Sequence, residues 1–237
     1  GTGDGRIPGP DRPSLVAALS GGGTFPVVAE VKLASPTAGR LGAHVAEQLI
    51  DDYRSGGAAA LSVITEPRYF LGSLRYLRLA CRTGLPVLMK DFVVHAEQVS
   101  CAYRLGASAV LLIQGVFDRG LADGRDDLVD EAHRRGLEVV LEASTLEEMV
   151  GAIRSKADVL AYNRRDLRSF RAGPDLLAEA LRMTRGDGRP TLVMSMMGSR
   201  EDLEKVRDMG GSGALIGTAL ASSPCPRDKL ASLRIRA

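Results

Sequence analysis

The sequence predicts an α/β fold and, within that class, a (β/α)8 barrel. Eight short apolar runs recur along the chain, at residues 27–32, 59–64, 86–90, 108–113, 137–142, 158–162, 191–195 and 213–217. Strands that are buried on both faces read as continuous apolar runs of this kind. The segments between the runs have the length of helices, and strand–helix–strand units place their strands parallel. Eight such units are the content of a closed parallel barrel.

The connecting segments carry helix signals in chain order. The segment SLVAAL before the first run predicts a short helix that lies over the barrel. After the first strand, Val45, Leu49 and Tyr53 recur at four-residue steps, which is typical of a helix with one buried stripe. The longest segment follows the sixth strand and ends in a surface loop, RGDGRP. Helix C-caps are indicated by glycines before the next strands, at 56–57, 84, 106, 136 and 210–211.

Composition restricts the domain organisation and the partners. The 237 residues are 45% hydrophobic, enough for one large core, and we expect a single barrel domain over residues 13–237 behind a flexible Gly- and Pro-rich lead-in at 1–12. A formal charge of +2 gives no reason to expect a nucleic-acid or membrane partner. No apolar stretch approaches the roughly 18 residues of a membrane helix. Three scattered cysteines favour a reduced, cytoplasmic setting.

Ionisable residues close the first predicted strand, where a barrel places its active site. Glu30 and Lys32 are two positions apart, so their side chains face the same way. They are either a structural ion pair or part of a site. The following KLASPTAG has the composition of a loop that covers a ligand.

Three further strands end on polar residues. Lys90 ends the third strand and is either a functional lysine, as a general acid or Schiff-base former, or a lysine that extends to solvent at the rim. Glu142 ends the fifth strand and is either a base or the ion-pair partner of Lys90. Asn163 and Arg165 follow the sixth strand, and Arg165 pairs either with a ligand carboxylate or with Asp166.

The last two strands predict an anion site. Many barrels bind phosphate at these two strand ends. Ser195 ends the seventh strand, and Gly217 and Thr218 end the eighth, where a glycine lets an anion approach backbone N–H groups. The three histidines have no metal-ligand spacing, and we predict no metal site.

Several motifs, in this order, make the chain resemble the indole-3-glycerol phosphate synthase family over about residues 13–233. They are AEVKLASPTAG, SVITEPRYFLGS, LPVLMKDFVV, GASAVLLI, GLEVVLEAS, NRRDL, SREDLEKV and ALIGTAL. The resemblance implies a (β/α)8 TIM barrel of the ribulose-phosphate-binding type. It also implies a lyase of tryptophan biosynthesis that needs no cofactor, takes a phosphorylated small-molecule substrate and is a monomer or weak homodimer. Its reaction closes an indole ring on an N-aryl-amino deoxyribulose phosphate, with loss of CO2 and water, to give indole-3-glycerol phosphate.

The resemblance also implies roles for individual residues. Lys90 is similar to the family's general acid and Glu142 to its base. Lys32 matches a lysine near the substrate carboxylate, and Glu30 matches the carboxylate beside it. Substrate-binding positions are matched by Ser35, Phe92, Asn163, Arg165, Ser195, Gly217 and Thr218, with Pro36 on the same loop as Ser35.

The chain departs from the family on the seventh strand. The family pattern there is Ser-Glu-Ser-Gly, whereas this chain has Val193, Met194, Ser195 and Met196. The active-site glutamate and the phosphate-binding glycine are both replaced by methionine. The family's histidine after the strand-5 glutamate is absent too, since Ala143 and Ser144 follow Glu142.

These departures leave two alternatives to an ordinary synthase. One is a diverged paralogue that acts on a related anthranilate-derived ketose phosphate in a specialised pathway. The other is a catalytically weak barrel that binds a phosphorylated ligand. The Met-Ser-Met sequence is also similar to type I dehydroquinate dehydratases, but the other motifs do not follow that family.

Overall fold

A closed barrel of parallel strands forms the centre of the computed structural model, which describes residues 12–165 and 176–237. The strands of these ranges are β1 (Val27–Val31), β2 (Ala34–Ser35), β3 (Gly39–Arg40), β4 (Ala60–Ile64), β5 (Val87–Lys90), β6 (Ala109–Ile113), β7 (Glu138–Ala143), β8 (Val159–Asn163), β9 (Thr191–Met194) and β10 (Gly213–Ile216). Eight of them close in the order β1-β10-β9-β8-β7-β6-β5-β4, and β4 pairs back onto β1. The predicted fold class is confirmed.

All eight predicted barrel strands are present, and each end lies within one residue of its prediction. Six of them, β1, β4, β6, β8, β9 and β10, are buried at every position, which is why they read as unbroken apolar runs. The remaining two strands were not predicted. β2 and β3 pair as a short antiparallel hairpin within the segment that the sequence predicts as a loop.

Helices connect the barrel strands and pack around them. Those of the described ranges are α1 (Leu15–Ser20), α2 (Ala46–Ser55), α3 (Leu74–Ala80), α4 (Ala96–Leu105), α5 (Gln114–Asp118), α6 (Arg125–Arg134), α7 (Leu146–Ile153), α8 (Leu177–Thr184), α9 (Arg200–Asp208), α10 (Thr218–Ala221) and α11 (Pro226–Ser232). The stripe predicted on α2 needs one correction. Leu49 and Tyr53 are buried, but Val45 is the N-cap and is exposed, because a residue before the first turn is not on the helix face.

The barrel interior is closed at the amino-terminal ends of the strands by α1. Leu15 and Leu19 pack into the same apolar cluster as Val28 and other residues that point inside the barrel. The carboxylate of Glu138, at the start of β7, accepts hydrogen bonds from the backbone N–H of Leu15 (2.7 Å) and of Val16 (3.2 Å). A carboxylate at a helix amino terminus is favourable because the first N–H groups have no partner within the helix. The predicted short helix therefore lies opposite the end where the polar residues gather.

The predicted lead-in at 1–12 lies outside the described residues except for Arg12. The guanidinium of Arg12 lies 4.4 Å from the centre of the Tyr103 ring and donates a hydrogen bond of 2.8 Å to the Tyr103 carbonyl. Among the described helices, none has the length and apolar character needed to cross a membrane.

Candidate active site

The carboxyl ends of the barrel strands bring the predicted site residues to one rim. Glu30 lies near the end of β1, Lys90 ends β5, and Glu142 is the second-last residue of β7. Asn163 ends β8, in register with Met194 of β9. Since all eight strands run parallel, residues at their carboxyl ends converge whatever their separation in the sequence.

Two adjoining cavities open at this rim and contain all eleven predicted site residues. The larger has a volume of about 400 Å³ and is lined by Glu30, Lys32, Ser35, Lys90, Asn163, Arg165, Ser195, Gly217 and Thr218. The smaller has a volume of about 40 Å³, and its walls include Phe92 and Glu142. Lys90 lines both cavities. The structure thus groups these residues, while their individual roles stay predictions.

Glu30 bridges the two lysines of the larger cavity. Its Oε1 lies 3.7 Å from Lys32 Nζ, and its Oε2 lies 3.4 Å from Lys90 Nζ. Gly217 makes room for this carboxylate, since a Cβ at that position would lie 2.2 Å from Glu30 Oε1. The ion pair of Glu30 with Lys32, one of the two alternatives from the sequence, is therefore present, and it lies inside the cavity.

This cluster fixes the protonation of its members. Burial alone raises the pKa of Glu30, but the charges of Lys90 and Lys32 outweigh it, and the net pKa is lowered. Burial lowers the pKa of Lys90, whereas Glu30 and Glu142 raise it by more, so the net pKa is raised. For Lys32, burial together with Lys90 and Arg165 lowers the pKa in spite of Glu30. Lys90 is accordingly protonated at neutral pH and able to donate a proton.

Glu142 hydrogen-bonds a neighbouring strand and is not the ion-pair partner of Lys90. Its Oε1 accepts a bond of 2.8 Å from the Asn163 amide. The Asn163 carbonyl oxygen in turn accepts bonds from the Ser195 hydroxyl (2.7 Å) and the Arg165 backbone N–H (3.1 Å). Among the described residues the direct ion pair of Lys90 is with Glu30, while Glu142 and Lys90 act on each other through charge alone, each shifting the pKa of the other toward its charged form.

The second oxygen of Glu142 is available for chemistry. Glu142 is 1% exposed, and its Oε2 has no hydrogen-bond partner within the described residues. Burial raises its pKa, Lys90 and Asn163 lower it, Glu30 and Glu148 raise it, and the net pKa is raised. A carboxylate with a raised pKa and an unpartnered oxygen beside a cavity is suited to accept a proton from a ligand.

Phe70 is a cavity residue that sequence reasoning missed. It lines both cavities, and Lys32 Nζ lies 5.4 Å from the centre of its ring. The loop after β4 holds it there, because the Glu66 carboxylate accepts bonds from the backbone N–H of Tyr69 (2.8 Å) and Phe70 (3.1 Å). With Phe92, Leu111 and Ile113 it makes the smaller cavity largely apolar. An aromatic residue soon after a predicted strand end was the available signal.

The turn after β9 carries the substituted residues in an unusual backbone conformation. Met194 lines the larger cavity and is 1% exposed, so an apolar side chain stands where the family pattern has a carboxylate. Ser195 and Met196 have φ values of 69° and 57°. Such values favour glycine, which is the residue that the family pattern has at position 196. Asp166, the alternative partner of Arg165, lies outside the described residues.

The histidines take structural positions. His44 hydrogen-bonds the Ser223 carbonyl at 2.8 Å, and His133 bonds Asp158 at 2.8 Å. His95 is the N-cap of α4. Within residues 12–165 and 176–237, no group of three or more His, Cys, Asp or Glu side chains could hold a metal ion.

Comparisons with known proteins extend over nearly the whole chain. A family model described as indole-3-glycerol phosphate synthase matches residues 9–233. The indole-3-glycerol phosphate synthase of Burkholderia ambifaria is 38% identical over 211 residues, which are 87% of this chain and 78% of that relative. The one of Carboxydothermus hydrogenoformans is 35% identical over 206 residues, 86% of this chain and 77% of that relative.

Solved structures of low identity share the architecture. A thiamine phosphate pyrophosphorylase from Pyrococcus furiosus has a TM-score of 0.65 at 14% identity, over 88% of this chain and 93% of that chain. A native KDPGal structure has a TM-score of 0.61 at 18% identity, over 88% of this chain and 92% of that chain. At these identities the likeness shows the fold alone.

Proposed function

Since the chain belongs to the indole-3-glycerol phosphate synthase family, we propose that its two adjoining cavities hold the substrate of that carboxy-lyase and that Lys90 and Glu142 move the protons. The activity is the decarboxylating ring closure of an N-aryl-amino deoxyribulose phosphate to indole-3-glycerol phosphate, a step of tryptophan biosynthesis. The observation that carries the proposal is the convergence of Lys90 and Glu142 on one apolar cavity beside a larger, cationic one.

The shape and charge of the cavities suggest how the substrate lies. The aryl ring lies against Phe70 and Phe92 where the two cavities meet, with one edge directed into the smaller cavity, because the other walls of that cavity include apolar residues of β6. The phosphate lies at the ends of β9 and β10, near Ser195, Gly217 and Thr218, where the larger cavity ends. The substrate carboxylate faces Lys32 and Arg165. Ser35 and Asn163 contact the polar part of the substrate between these ends.

The chemistry then divides between an acid and a base. The ring carbon that bears the carboxylate attacks the keto carbon, a carbon–carbon bond forms, and the keto oxygen takes a proton from Lys90. CO2 leaves, and its bonding electrons restore the aromatic ring. The new hydroxyl takes a second proton from Lys90, which has regained one from solvent, and departs as water, while the methylene carbon next to nitrogen loses a proton to Glu142. Glu30 orients both lysines, and its charge acts to raise the pKa of each.

Turnover of the synthetic ketose phosphate, followed by indole fluorescence, tests this proposal. Lys90→Met should reduce kcat by about a hundredfold or more with little change in ligand binding. Lys156→Met, which removes a surface lysine that pairs with Asp130 outside both cavities, is the matched control. Near-normal turnover by Lys90→Met would exclude Lys90 as the acid. A crystal soaked in sulfate should show anion density near Gly217, and density only at the amino-terminal face would contradict the phosphate assignment.

A second candidate function is favoured by Met194 and Met196. A diverged paralogue with an altered anthranilate-derived substrate would retain Lys90 and Glu142 while changing β9, which is the pattern observed. The double variant Met194→Glu/Met196→Gly separates the two. It should raise turnover of the ordinary substrate by at least about tenfold if the strand has merely lost function. It should bring no gain if the strand is adapted to another substrate.

A third outcome would identify a binding protein. Measurable affinity for the ketose phosphate with no turnover in either form would indicate the catalytically weak phosphate-binding barrel. We further propose a cytoplasmic enzyme that is a monomer or weak homodimer, and sedimentation velocity over a concentration series tests the oligomeric state.

A further inference from the structure

A second buried glutamate lies on the helix that follows Glu142 and acts on it electrostatically. Glu148, in the first turn of α7, is 5% exposed. Its Oε2 accepts hydrogen bonds from the backbone N–H of Ser144 (2.8 Å) and from the Ser144 hydroxyl (2.9 Å). Its Oε1 accepts a bond of 2.7 Å from the guanidinium of Arg119, which follows α5. Both oxygens are therefore engaged, and neither lines one of the two active-site cavities.

The Glu148 carboxylate fits beside α5 only because residue 115 of that helix is a glycine. A Cβ at Gly115 would lie 2.2 Å from Glu148 Oε1. A charged group held this far from water destabilises the fold unless it is paired and hydrogen-bonded. An ion pair to one helix end and two bonds to a single residue, Ser144, meet that requirement. The residue so held lies two positions after Glu142.

We propose that Glu148 is a positioning residue for Glu142, which it acts on by fixing the turn from β7 into α7. The inference rests on the proposed function of Glu142 as the base. Glu142 has one hydrogen bond of its own, from Asn163, and its other oxygen has no partner within the described residues. The orientation of the Glu142 carboxylate is therefore determined largely by the backbone at the end of β7. Ser144 anchors that backbone, and Glu148 anchors Ser144.

Glu148 also acts on Glu142 through its charge. The charged groups that act on Glu142 are Lys90 from β5, Glu30 from β1 and Glu148 from α7, and Asn163 of β8 is its neutral partner. Glu66 and Asp91 line the same small cavity, whereas β6 contributes apolar side chains. Glu148 and Glu30 raise the pKa of Glu142, and Lys90 lowers it. Removing the charge of Glu148 should consequently lower the pKa of Glu142.

The decisive variant is Glu148→Gln, which keeps the shape and removes the charge. We expect kcat to fall about tenfold, in the range seen when a supporting hydrogen bond to a functional side chain is lost, with KM within about twofold. The pH limb of kcat that Glu142→Gln abolishes should move to lower pH. In Arg119→Met, by contrast, Glu148 keeps both of its hydrogen bonds to Ser144, so kcat should fall by less than in Glu148→Gln.

A matched control separates positioning from mere stability. Glu131 of α6 is 7% exposed and pairs with two arginines, Arg134 and Arg135, outside both cavities. Glu131→Gln should cost stability as Glu148→Gln does while leaving kcat per folded molecule and the pH profile unchanged. If Glu148→Gln behaves like Glu131→Gln, the positioning proposal is overturned. If Glu142→Gln is itself fully active, the proposed role of Glu142 fails instead.

Discussion

Replacing Gly217 by alanine tests whether the position of Glu30 controls the two lysines. The added Cβ would lie 2.2 Å from Glu30 Oε1 and 3.0 Å from its Cδ. An ordinary carbon–oxygen contact requires the carboxylate to move by about 1 Å. The φ of −116° at this position lies outside the left-handed region that requires glycine, so the contact with Glu30 is the main obstacle to alanine.

The cost of that movement follows from the observed ion pair. Glu30 Oε2 lies 3.4 Å from Lys90 Nζ. At an effective dielectric constant of about 20, lengthening this distance by about 1 Å weakens the attraction from about 5 to about 4 kcal/mol. A loss of about 1 kcal/mol corresponds to about fivefold in rate, and misorientation of Lys90 extends the effect toward about a hundredfold. We therefore expect kcat of Gly217→Ala to fall between these limits.

The assay is steady-state indole fluorescence with the ketose phosphate, alongside circular dichroism as a check of folding. Gly22→Ala is the control, since no atom lies within 4 Å of a Cβ at that position. A rise in KM with unchanged kcat would mean that alanine disturbs phosphate binding and leaves Glu30 effective. Wild-type kcat and KM together would refute the reasoning, because Glu30 would then tolerate displacement without consequence.

Three further predictions concern stability and can be checked by chemical denaturation. Met196→Gly should raise the free energy of unfolding by up to about 1 kcal/mol, because φ of 57° is unfavourable for methionine; a decrease would show that its side chain packs usefully. Arg189→Met should lower it by about 2–3 kcal/mol, since Arg189 donates to the carbonyls of Ile153, Ser155 and Ala157, and an unchanged midpoint would contradict this. The hydrogen bond to Asp158 raises the pKa of His133 above 6.5, so the stability from this pair is present below that pH and is lost as pH rises through the raised pKa. The difference in unfolding free energy between wild type and His133→Gln should therefore shrink as pH rises above 6.5, and a constant difference would contradict this.

The barrel and its polar rim could both be predicted from the sequence because both depend on one regular pattern, apolar runs that end on a polar residue. Strands buried on two faces must be apolar throughout, so an ionisable residue at the end of such a run, as at Lys90 or Glu142, is conspicuous. Their convergence follows from parallel strand direction alone. This reasoning needs no knowledge of side-chain conformation, and the strand bounds agree with it to within one residue.

The pairing of those residues could not be predicted in the same way. Whether Lys90 pairs with Glu30 or Glu142 depends on distances of 3–4 Å across the barrel, which the periodicity of the sequence does not encode. Glu148 is one of several acidic residues near a helix start, where glutamate is common for reasons of helix capping. Its contact with Ser144 and Arg119 depends on the packing of α5 against α7. Phe70 was missed because its loop carries no regular pattern.

Helix α1, which closes the amino-terminal end of the barrel, restricts where substrate and products can enter and leave. With Leu15 and Leu19 packed among the interior side chains, the described part of the barrel is closed at its amino-terminal end, and both cavities lie at the opposite, carboxyl-terminal rim. Under the proposed function, substrate enters, and CO2, water and the bulky indole product leave, at that same rim. Bound product consequently blocks binding of the next substrate. We therefore expect product inhibition that is competitive with the ketose phosphate.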